Sequence, residues 1–173
     1  NAISFLIEHK HHTFPEAVQL LADQAGLEVI FEGGSTQNNP SHHALYALME
    51  KATALYEKNR HMAQVYLDER LVSPDIQTRY RLGFSPDRWD NLNSITPDKP
   101  TQAQWVQAGM LIEKDGSRAY DRFRGRLMFP IRNTQGNVVG FGGRTLGDGT
   151  PKYLNSPETV LFHKNHELYG LYE

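Results

Sequence analysis

Two short stretches near the C-terminus hold residue types that suit a phosphate-bearing strand. They are Thr150-Pro-Lys-Tyr-Leu-Asn-Ser-Pro-Glu-Thr159 and Phe162-His-Lys164. A glycine-rich stretch, Gly140-Phe-Gly-Gly-Arg144, precedes them. Cations, an aromatic ring and backbone amides without neighbouring side chains therefore occur close together in the chain. This combination predicts an anion-binding surface in the last third of the sequence.

The first stretch supplies three complementary contacts. Lys152 can neutralise a phosphate, Tyr153 can stack on a base, and Asn155 can bond a sugar or a base edge without sequence specificity. In an extended segment, Lys152 falls on the opposite face from Tyr153 and on the same face as Leu154. The alternative is a surface turn whose tyrosine belongs to the core.

The glycine-rich stretch lacks a Cβ atom at three of its five positions, so another chain or a phosphate can approach its backbone. Arg144 adds a planar fork of donors. No Gly-Lys-Ser/Thr follows, which excludes a P-loop, and a dinucleotide-binding fold needs its glycines between a strand and a helix. A tight turn is the alternative interpretation.

Three further arginines, Arg122, Arg124 and Arg126, alternate around Phe123 and Gly125. In an extended chain they share one face, and a row of cations is poor core material, so we expect that face to meet solvent or ligand. Contacts from such a row to phosphates are sensitive to salt because they release counter-ions.

Charge is unevenly distributed, although the net charge is only −2. Residues 118–152 contain seven Lys/Arg and two acidic residues, whereas residues 1–117 contain ten Lys/Arg and fifteen acidic residues. This polarity indicates one face that meets a polyanion and a remainder that keeps the protein in solution. An arginine-rich solvated surface is the alternative.

Composition argues against several other classes of site. Without cysteine the chain has neither disulfides nor thiolate zinc sites, and His9, His11 and His12 are too close together to form an obvious closed zinc site. The acidic residues of the basic third are isolated, so no two-metal catalytic site is predicted and no catalytic residue is assigned. No apolar run approaches the ~18 residues of a membrane span, and no secretory signal is present, so we expect a cytoplasmic protein.

The N-terminal half shows the capping residues, the stop residues and the apolar spacing that are typical of helices. A capping box at Thr13 and Glu16 predicts a helix that stops at Gly26, and residues 32–41 resemble a flexible linker. The predicted helices that follow run from Ser41 to Leu67 with a bend near Asn59, from Ser73-Pro74 to near Gly83, and from Thr101 to Gly109.

Beyond Leu111 the pattern changes to strands. Residues 127–132 and 137–141 are apolar runs joined by Asn-Thr-Gln-Gly136, which predicts a hairpin. Residues 111–114 and 117–120 predict another, and Pro130 suggests an edge or a bulge. The expected fold is α+β, with a helical N-terminal half followed by a small, curved, mainly antiparallel sheet and flanking helices.

These motifs, taken together, resemble the bacterial replicative DNA primase family. The resemblance is dense from about Tyr120 to the end and looser but continuous upstream. It rests on Tyr120-Asp-Arg-Phe-Arg124, Arg126-Leu-Met-Phe-Pro-Ile-Arg132, Gly140-Phe-Gly-Gly-Arg144, the two C-terminal stretches and Leu168-Tyr-Gly-Leu-Tyr172.

The resemblance implies three segments of a larger enzyme that makes short RNA primers on single-stranded DNA. Residues 1–31 are expected to be the tail of a zinc-binding domain, residues 32–41 a linker, and residues 42–173 the N-terminal, template-binding subdomain of the RNA polymerase domain. By position in the motifs, the implied template contacts are Arg144, Lys152, Tyr153, Asn155, Lys164 and Arg70; Arg122 and Arg124 are added from their charge pattern. At Leu71-Val72 this chain departs from the Gly-Leu that the family more often shows.

Cofactors and most partners are implied only for the parent protein. Zinc would be held upstream of residue 1 and magnesium by carboxylates downstream of Glu173, so we expect no cofactor in this chain and no activity from it alone. The partners implied are single-stranded DNA, the RNA primer, nucleoside triphosphates and, through a C-terminal domain, the replicative helicase; no membrane is expected. A stand-alone, non-enzymatic single-stranded nucleic-acid-binding module and a nucleotide-binding enzyme using the glycine-rich stretch are the alternatives.

Overall fold

The computed structural model describes residues 1–10, 14–25, 42–96, 99–114 and 118–173. The chain forms two compact units, Asn1–Asn39 and Pro40–Glu173. The first unit contains helices α1 (Ala2–Lys10) and α2 (Phe14–Ala25). The predicted capping residue Thr13, the predicted stop at Gly26 and the predicted linker all lie outside the described residues.

The second unit begins with the long helical segment that the sequence predicts. Helix α3 (His42–Lys58) is followed by a 3-10 turn (Arg60–Ala63) and by helix α4 (Gln64–Glu69). At the junction, the Asn59 side chain donates a hydrogen bond of 2.8 Å to the Leu55 carbonyl. This side-chain bond competes with the helical backbone pattern, and the α-helix is interrupted at Asn59, where the sequence predicts a bend.

Helix α5 (Pro74–Arg79) starts as predicted but ends early. The Ser73 hydroxyl accepts the Ile76 amide at 3.4 Å, which is an N-cap, and Pro74 occupies the first position. The predicted end near Gly83 is wrong, because Gly83 begins strand β1 (Gly83–Ser85). A Cβ atom on Gly83 would lie 2.5 Å from the Tyr56 carbonyl carbon, so glycine allows β1 to pack directly on α3.

Two helices lie between β1 and the remaining strands. Helix α6 (Asn91–Ile95) was missed from the sequence. Helix α7 (Lys99–Gln107) begins two residues before the predicted start, and Gly109, with a φ of 71°, follows its C-terminal end. This position favours glycine because the left-handed conformation is strained for other residues.

The strands confirm the predicted antiparallel sheet and the α+β class. A four-stranded sheet has the order β1-β4-β5-β6, and β2 pairs with β3 separately. Gly136 has a φ of 88° in the turn between β4 and β5, as the hairpin prediction requires. The strand bounds are β2 (Leu111–Ile112), β3 (Tyr120–Asp121), β4 (Arg126–Arg132), β5 (Val138–Thr145) and β6 (Tyr153–Asn155). Residues 115–117, between β2 and β3 in the sequence, are not described.

Pro130 lies in β4 where that strand pairs only with β5, so the edge alternative is confirmed at this point of the strand. Strand β1 pairs only with residues 126–128, and the register of β4 against β5 shifts between Ile131 and Arg132. The predicted bulge is therefore confirmed next to Pro130, beyond the part of β4 that β1 covers.

Both faces of the sheet are covered by apolar side chains. On one face Met128, Phe141 and Leu154 belong to the main core, which also contains Trp105 and residues of α3. On the other face Leu127 and Phe84 belong to a second cluster with Leu67 of α4. The second cluster is smaller, and it does not include Tyr153 or Asn155 of the last strand of the sheet.

A buried carboxylate joins β3 to the start of α6. Both Asp121 oxygens accept the Leu92 amide, at 3.3 and 3.4 Å. Burial raises the pKa of the Asp121 carboxyl to about 6, while hydrogen bonds from Asn91 and Leu92 oppose the shift. Asp121 thus satisfies helix donors at the cost of burying a charge.

Replacing Asp121 by Asn should flatten the pH dependence of stability. Because the folded-state pKa is raised, the native protein binds this proton more tightly than the unfolded chain. The wild type should therefore lose about 2–3 kcal/mol of unfolding free energy as the pH rises from about 4 to about 6, and Asp121→Asn should lose less. Urea denaturation across this range measures both slopes. Parallel curves for the two proteins would contradict the assignment.

Candidate nucleic-acid interface

The register of β5 and β6 places three predicted site residues on one face of the sheet. Arg144 pairs with Tyr153, and Gly142 pairs with Asn155. Paired residues of an antiparallel ladder project to the same side, and the side alternates along each strand. Arg144, Tyr153 and Asn155 therefore point to the face that carries Leu127 and Phe129, while Leu154 points to the main core.

Glycines leave the middle of this face without side chains. Gly142 lies beside Asn155, and a Cβ atom at Gly142 would sit 3.3 Å from the Asn155 side-chain oxygen. At Gly140 a Cβ atom would sit 3.0 Å from the Phe162 ring. Side chains at these positions would fill the surface between β6 and the C-terminal segment.

A groove of about 390 Å³ opens at this place. Three of the predicted contacts, Tyr153, Asn155 and Lys164, line it, and Gly142 forms part of its floor. The remaining lining residues are Phe129, Ile131, Gly143, Phe162, Glu167 and Tyr169. The groove therefore combines aromatic walls with an amide, a lysine and a carboxylate at its rim.

Cations and aromatic rings extend from this groove to helix α4. The Arg144 guanidinium carbon lies 5.6 Å from the centre of the Tyr153 ring and 4.5 Å from that of Tyr66. The Arg70 guanidinium carbon lies 5.4 Å from the centre of the same Tyr66 ring. We call Arg70, Tyr66, Arg144 and Tyr153 the cation–aromatic strip. Positively charged and aromatic side chains alternate along the strip. The arginines can bind phosphates, and the rings can stack on bases.

Exposure decides between the two interpretations of Tyr153. Its side chain is 64% exposed, so the core-tyrosine alternative is wrong. Lys152 is exposed next to it but does not line the groove, in agreement with the predicted alternation of faces. The Lys152 carbonyl accepts the Thr145 amide at 3.0 Å, which fixes the backbone at the start of β6.

Arg144 has a buried hydrogen-bond donor without a partner among the described residues. The donor is its Nε atom. A buried donor without a partner costs free energy unless a ligand or water satisfies it. The guanidinium is held between two rings, so its position is fixed while hydrogen-bonding capacity remains.

The three arginines at 122, 124 and 126 do not form the single solvent-facing row that we expected. Strand β3 ends at Asp121 and β4 starts at Arg126, so the segment between them is not one strand. Arg126 is only 6% exposed, and its Nη1 atom lies 3.5 Å from the carbonyls of Gly143 and Lys152. Desolvation lowers its pKa. The expected common face is therefore wrong.

The other two members of that row have separate environments. Arg122 donates from Nε to the Gly109 carbonyl at 2.7 Å, and burial lowers its pKa. Arg124 lies with its guanidinium carbon 3.9 Å from the Trp89 ring and donates to the Asp121 carbonyl. Trp89 is 62% exposed. Arg124 therefore packs on an aromatic ring, whereas Arg122 is hydrogen-bonded to a backbone carbonyl.

Sequence reasoning missed Tyr66 as a member of the site, because its spacing within the long helix also fits an apolar core position. A usable signal was present. Tyr66 precedes Arg70 by four residues, a separation that brings side chains together on a helix. Its link to Arg144, by contrast, depends on the packing of α4 against the sheet and is not visible in the sequence.

The described residues supply neither a metal centre nor a membrane span. Within them, no group of three or more His, Cys, Asp or Glu side chains could hold a metal ion. No helix in the same part of the chain is long and apolar enough to cross a bilayer.

Comparison with known proteins adds a family and a set of similar structures. The model of the family "DNA primase catalytic core, N-terminal domain" matches residues 51–173. A DNA primase of Escherichia coli O6:H1 is 46% identical over 182 residues, which cover all of this chain and 31% of that relative. The chain therefore spans less than a third of the length of this curated relative.

Solved structures with a similar fold include two primases. A DnaG primase catalytic domain bound to ssDNA is 44% identical with a TM-score of 0.72, covering 76% of this chain and 44% of that one. The Aquifex aeolicus primase, comprising its zinc-binding and RNA polymerase domains, is 26% identical with a TM-score of 0.70. That match covers 100% of this chain and 42% of the Aquifex chain.

The contact between Tyr66 and Arg144 can be measured with a double-mutant cycle. Tyr66→Leu removes the ring but keeps an apolar side chain, and Arg144→Gln removes the charge but keeps a planar polar group. We expect a coupling free energy of about 0.5–1 kcal/mol in urea unfolding, because the guanidinium is partly exposed above the ring. Additive effects of the two substitutions would show that the stack contributes nothing to stability.

Proposed function

The chain belongs to the family of the DNA primase catalytic core, N-terminal domain, and we propose that it is the part of a DNA primase that binds and guides the single-stranded template. The observation that carries the proposal is the continuity of the cation–aromatic strip with the groove of Tyr153, Asn155 and Lys164. A similar primase domain is named as bound to ssDNA, which supports the same ligand here.

The chemistry of this surface suits an unpaired strand of any sequence. The exposed Tyr153 ring offers a stacking face, and every base has a π-face, so such a contact tolerates all four bases. Arg70, Arg144, Lys152 and Lys164 offer positive charge to phosphates. Asn155 can accept from or donate to a base edge or a sugar. A template-guiding surface needs this tolerance because the template moves past it.

We propose the domain organisation expected from the sequence. Residues 1–31 are the tail of a zinc-binding domain, residues 32–41 are a linker, and residues 42–173 are the N-terminal subdomain of the RNA polymerase domain. Two findings support this division. The family model begins at residue 51, and the similar Aquifex structure, whose match covers the whole chain, is named as including a zinc-binding domain.

The activity of the whole protein is part of the proposal. It is a DNA-directed RNA polymerase, a nucleotidyltransferase, that makes short RNA primers for replication from nucleoside triphosphates, and it engages the replicative helicase through a C-terminal domain. A cytoplasmic location follows from this role. We propose that zinc and magnesium belong to other parts of that protein, since the described residues offer no donor cluster that fits either ion. On this proposal, this chain alone makes no primer.

Replacing Lys152 by Ala should weaken binding to single-stranded DNA for every sequence tested. If the ammonium group neutralises one phosphate, the slope of log K against log salt should become shallower by ~1. Fluorescence anisotropy with labelled single-stranded and duplex oligonucleotides, at several salt concentrations, measures this slope.

Lys51 provides a matched control, since it is an exposed lysine on α3. Lys51→Ala should keep the wild-type slope. The proposal fails at this residue if Lys152→Ala binds as tightly as the wild type with an intact fold. It fails as a whole if the wild type does not prefer single-stranded DNA to duplex.

Replacing Tyr153 by Ala should cost ~1–3 kcal/mol of binding free energy to single-stranded DNA, because a base loses its stacking partner. Tyr153→Phe keeps the ring and should bind nearly as the wild type does. Thermal melting of the same variants separates binding from folding. A lower melting temperature together with unchanged affinity would mark Tyr153 as a structural residue.

A further inference from the structure

Helices α4 and α5 end with the same arrangement of hydrogen bonds. At the end of α4, the Leu71 amide donates to Asp68 and the Val72 amide to Leu67, at 2.9 and 3.0 Å. At the end of α5, the amides of residues 81 and 82 donate to the carbonyls of residues 78 and 77, at 3.0 and 2.9 Å. This is the Schellman motif, which requires a left-handed residue and usually has glycine there.

Neither helix uses glycine at that position. Leu71 has a φ of 55° and Arg81 a φ of 52°. The left-handed conformation brings the Cβ atom too close to the following carbonyl oxygen, so both residues are strained. Each strained residue needs a compensating interaction, or it serves a purpose outside the folded chain.

Arg81 has such a compensation within the protein. Its guanidinium group donates two bonds to the Glu57 carboxylate, at 3.2 and 3.1 Å. It also contacts the Glu50 carboxylate at 2.8 Å. These ion pairs tie the end of α5 to α3, so the side chain at position 81 stabilises the fold despite its backbone strain.

Leu71 shows the opposite pattern. Its side chain is 91% exposed, so little of its apolar surface is removed from water by the folded chain. A strained backbone and an exposed apolar side chain are both unfavourable, and glycine would relieve both. The packing of the described residues therefore does not account for leucine at this position.

Leu71 is next in the sequence to the end of the cation–aromatic strip. It directly follows Arg70, the last cation of the cation–aromatic strip, whose guanidinium lies over Tyr66. We propose that Leu71 makes an apolar contact with an unpaired nucleobase at the α4 end of this strip. The inference rests on the proposed function, because it takes the occupant of the strip to be a single strand whose phosphates are neutralised by Arg70 and Arg144.

This contact has a distinctive salt signature. A leucine that packs against a base releases no counter-ion, so its loss lowers affinity without changing the slope of log K against log salt. The loss of a phosphate contact changes both. The two kinds of contact at the end of the strip can therefore be distinguished with one set of titrations.

The test compares the wild type with Leu71→Gly, Leu71→Ala and Leu71→Met, titrated with a fluorescent single-stranded oligonucleotide at several salt concentrations. Leu71→Gly should bind about fivefold more weakly with an unchanged slope, since the side-chain contact is partial. It should also melt about 2–4 °C higher, because the strain is relieved. Leu71→Ala should lose affinity similarly, and Leu71→Met should retain it.

Ile76 on α5 is a matched control, because it is another exposed apolar residue. Ile76→Ala should leave affinity unchanged.

Equal binding by the wild type and Leu71→Gly overturns the inference, even where Lys152→Ala and Tyr153→Ala still support template binding. So does a shallower salt slope for Leu71→Gly, which would mean that Arg70 was displaced. Normal binding by Leu71→Ala with weak binding by Leu71→Gly would assign the effect to backbone stiffness, and absence of any wild-type binding sinks both proposals.

Discussion

The pairing register of β5 with β6 is the constraint on which the interface depends. It sets Arg144 opposite Tyr153 and Gly142 opposite Asn155. A slip of one residue would exchange the two faces of β6, bringing Leu154 to the surface and Tyr153 toward the main core. The side chains that could meet a nucleic acid therefore cannot be changed independently of the apolar residues that alternate with them. Core packing fixes the register, and the register fixes the site.

Strand β5 carries both roles within a few residues. Phe141 is fully buried and lies edge-on to the Tyr56 ring of α3, with the ring centres 5.4 Å apart. On the opposite face, Gly142 lines the groove and Gly140 makes room for the Phe162 ring. The alternation of a large residue with glycine thus anchors the strand on one side and removes bulk on the other. This is a physical reason for the glycine-rich pattern that neither a tight turn nor a P-loop provides.

Local signals in the sequence predicted the features that depend on one or two neighbouring residues. The Ser73-Pro74 helix start, the Gly136 turn and the period of two in β6 all follow from backbone conformation and side-chain direction. The features that were missed depend on distant partners. Strand β1 is only three residues long and exists because it pairs with β4 and packs on α3. Arg126 is buried because carbonyls from β5 and from the residue before β6 surround it, and periodicity cannot show those contacts.

The arginines divide according to the partner that holds each one in place. Arg122 and Arg126 use their donors on backbone carbonyls, so their charge is committed to the fold. Arg70 and Arg144 rest on aromatic rings. A ring holds the flat face of a guanidinium and leaves the donors at its edge available, whereas a carbonyl occupies those donors. Arginine therefore stabilises the fold in one setting and offers positive charge to a ligand in the other. The contacts of each guanidinium group indicate which role it has, and the local density of arginine does not.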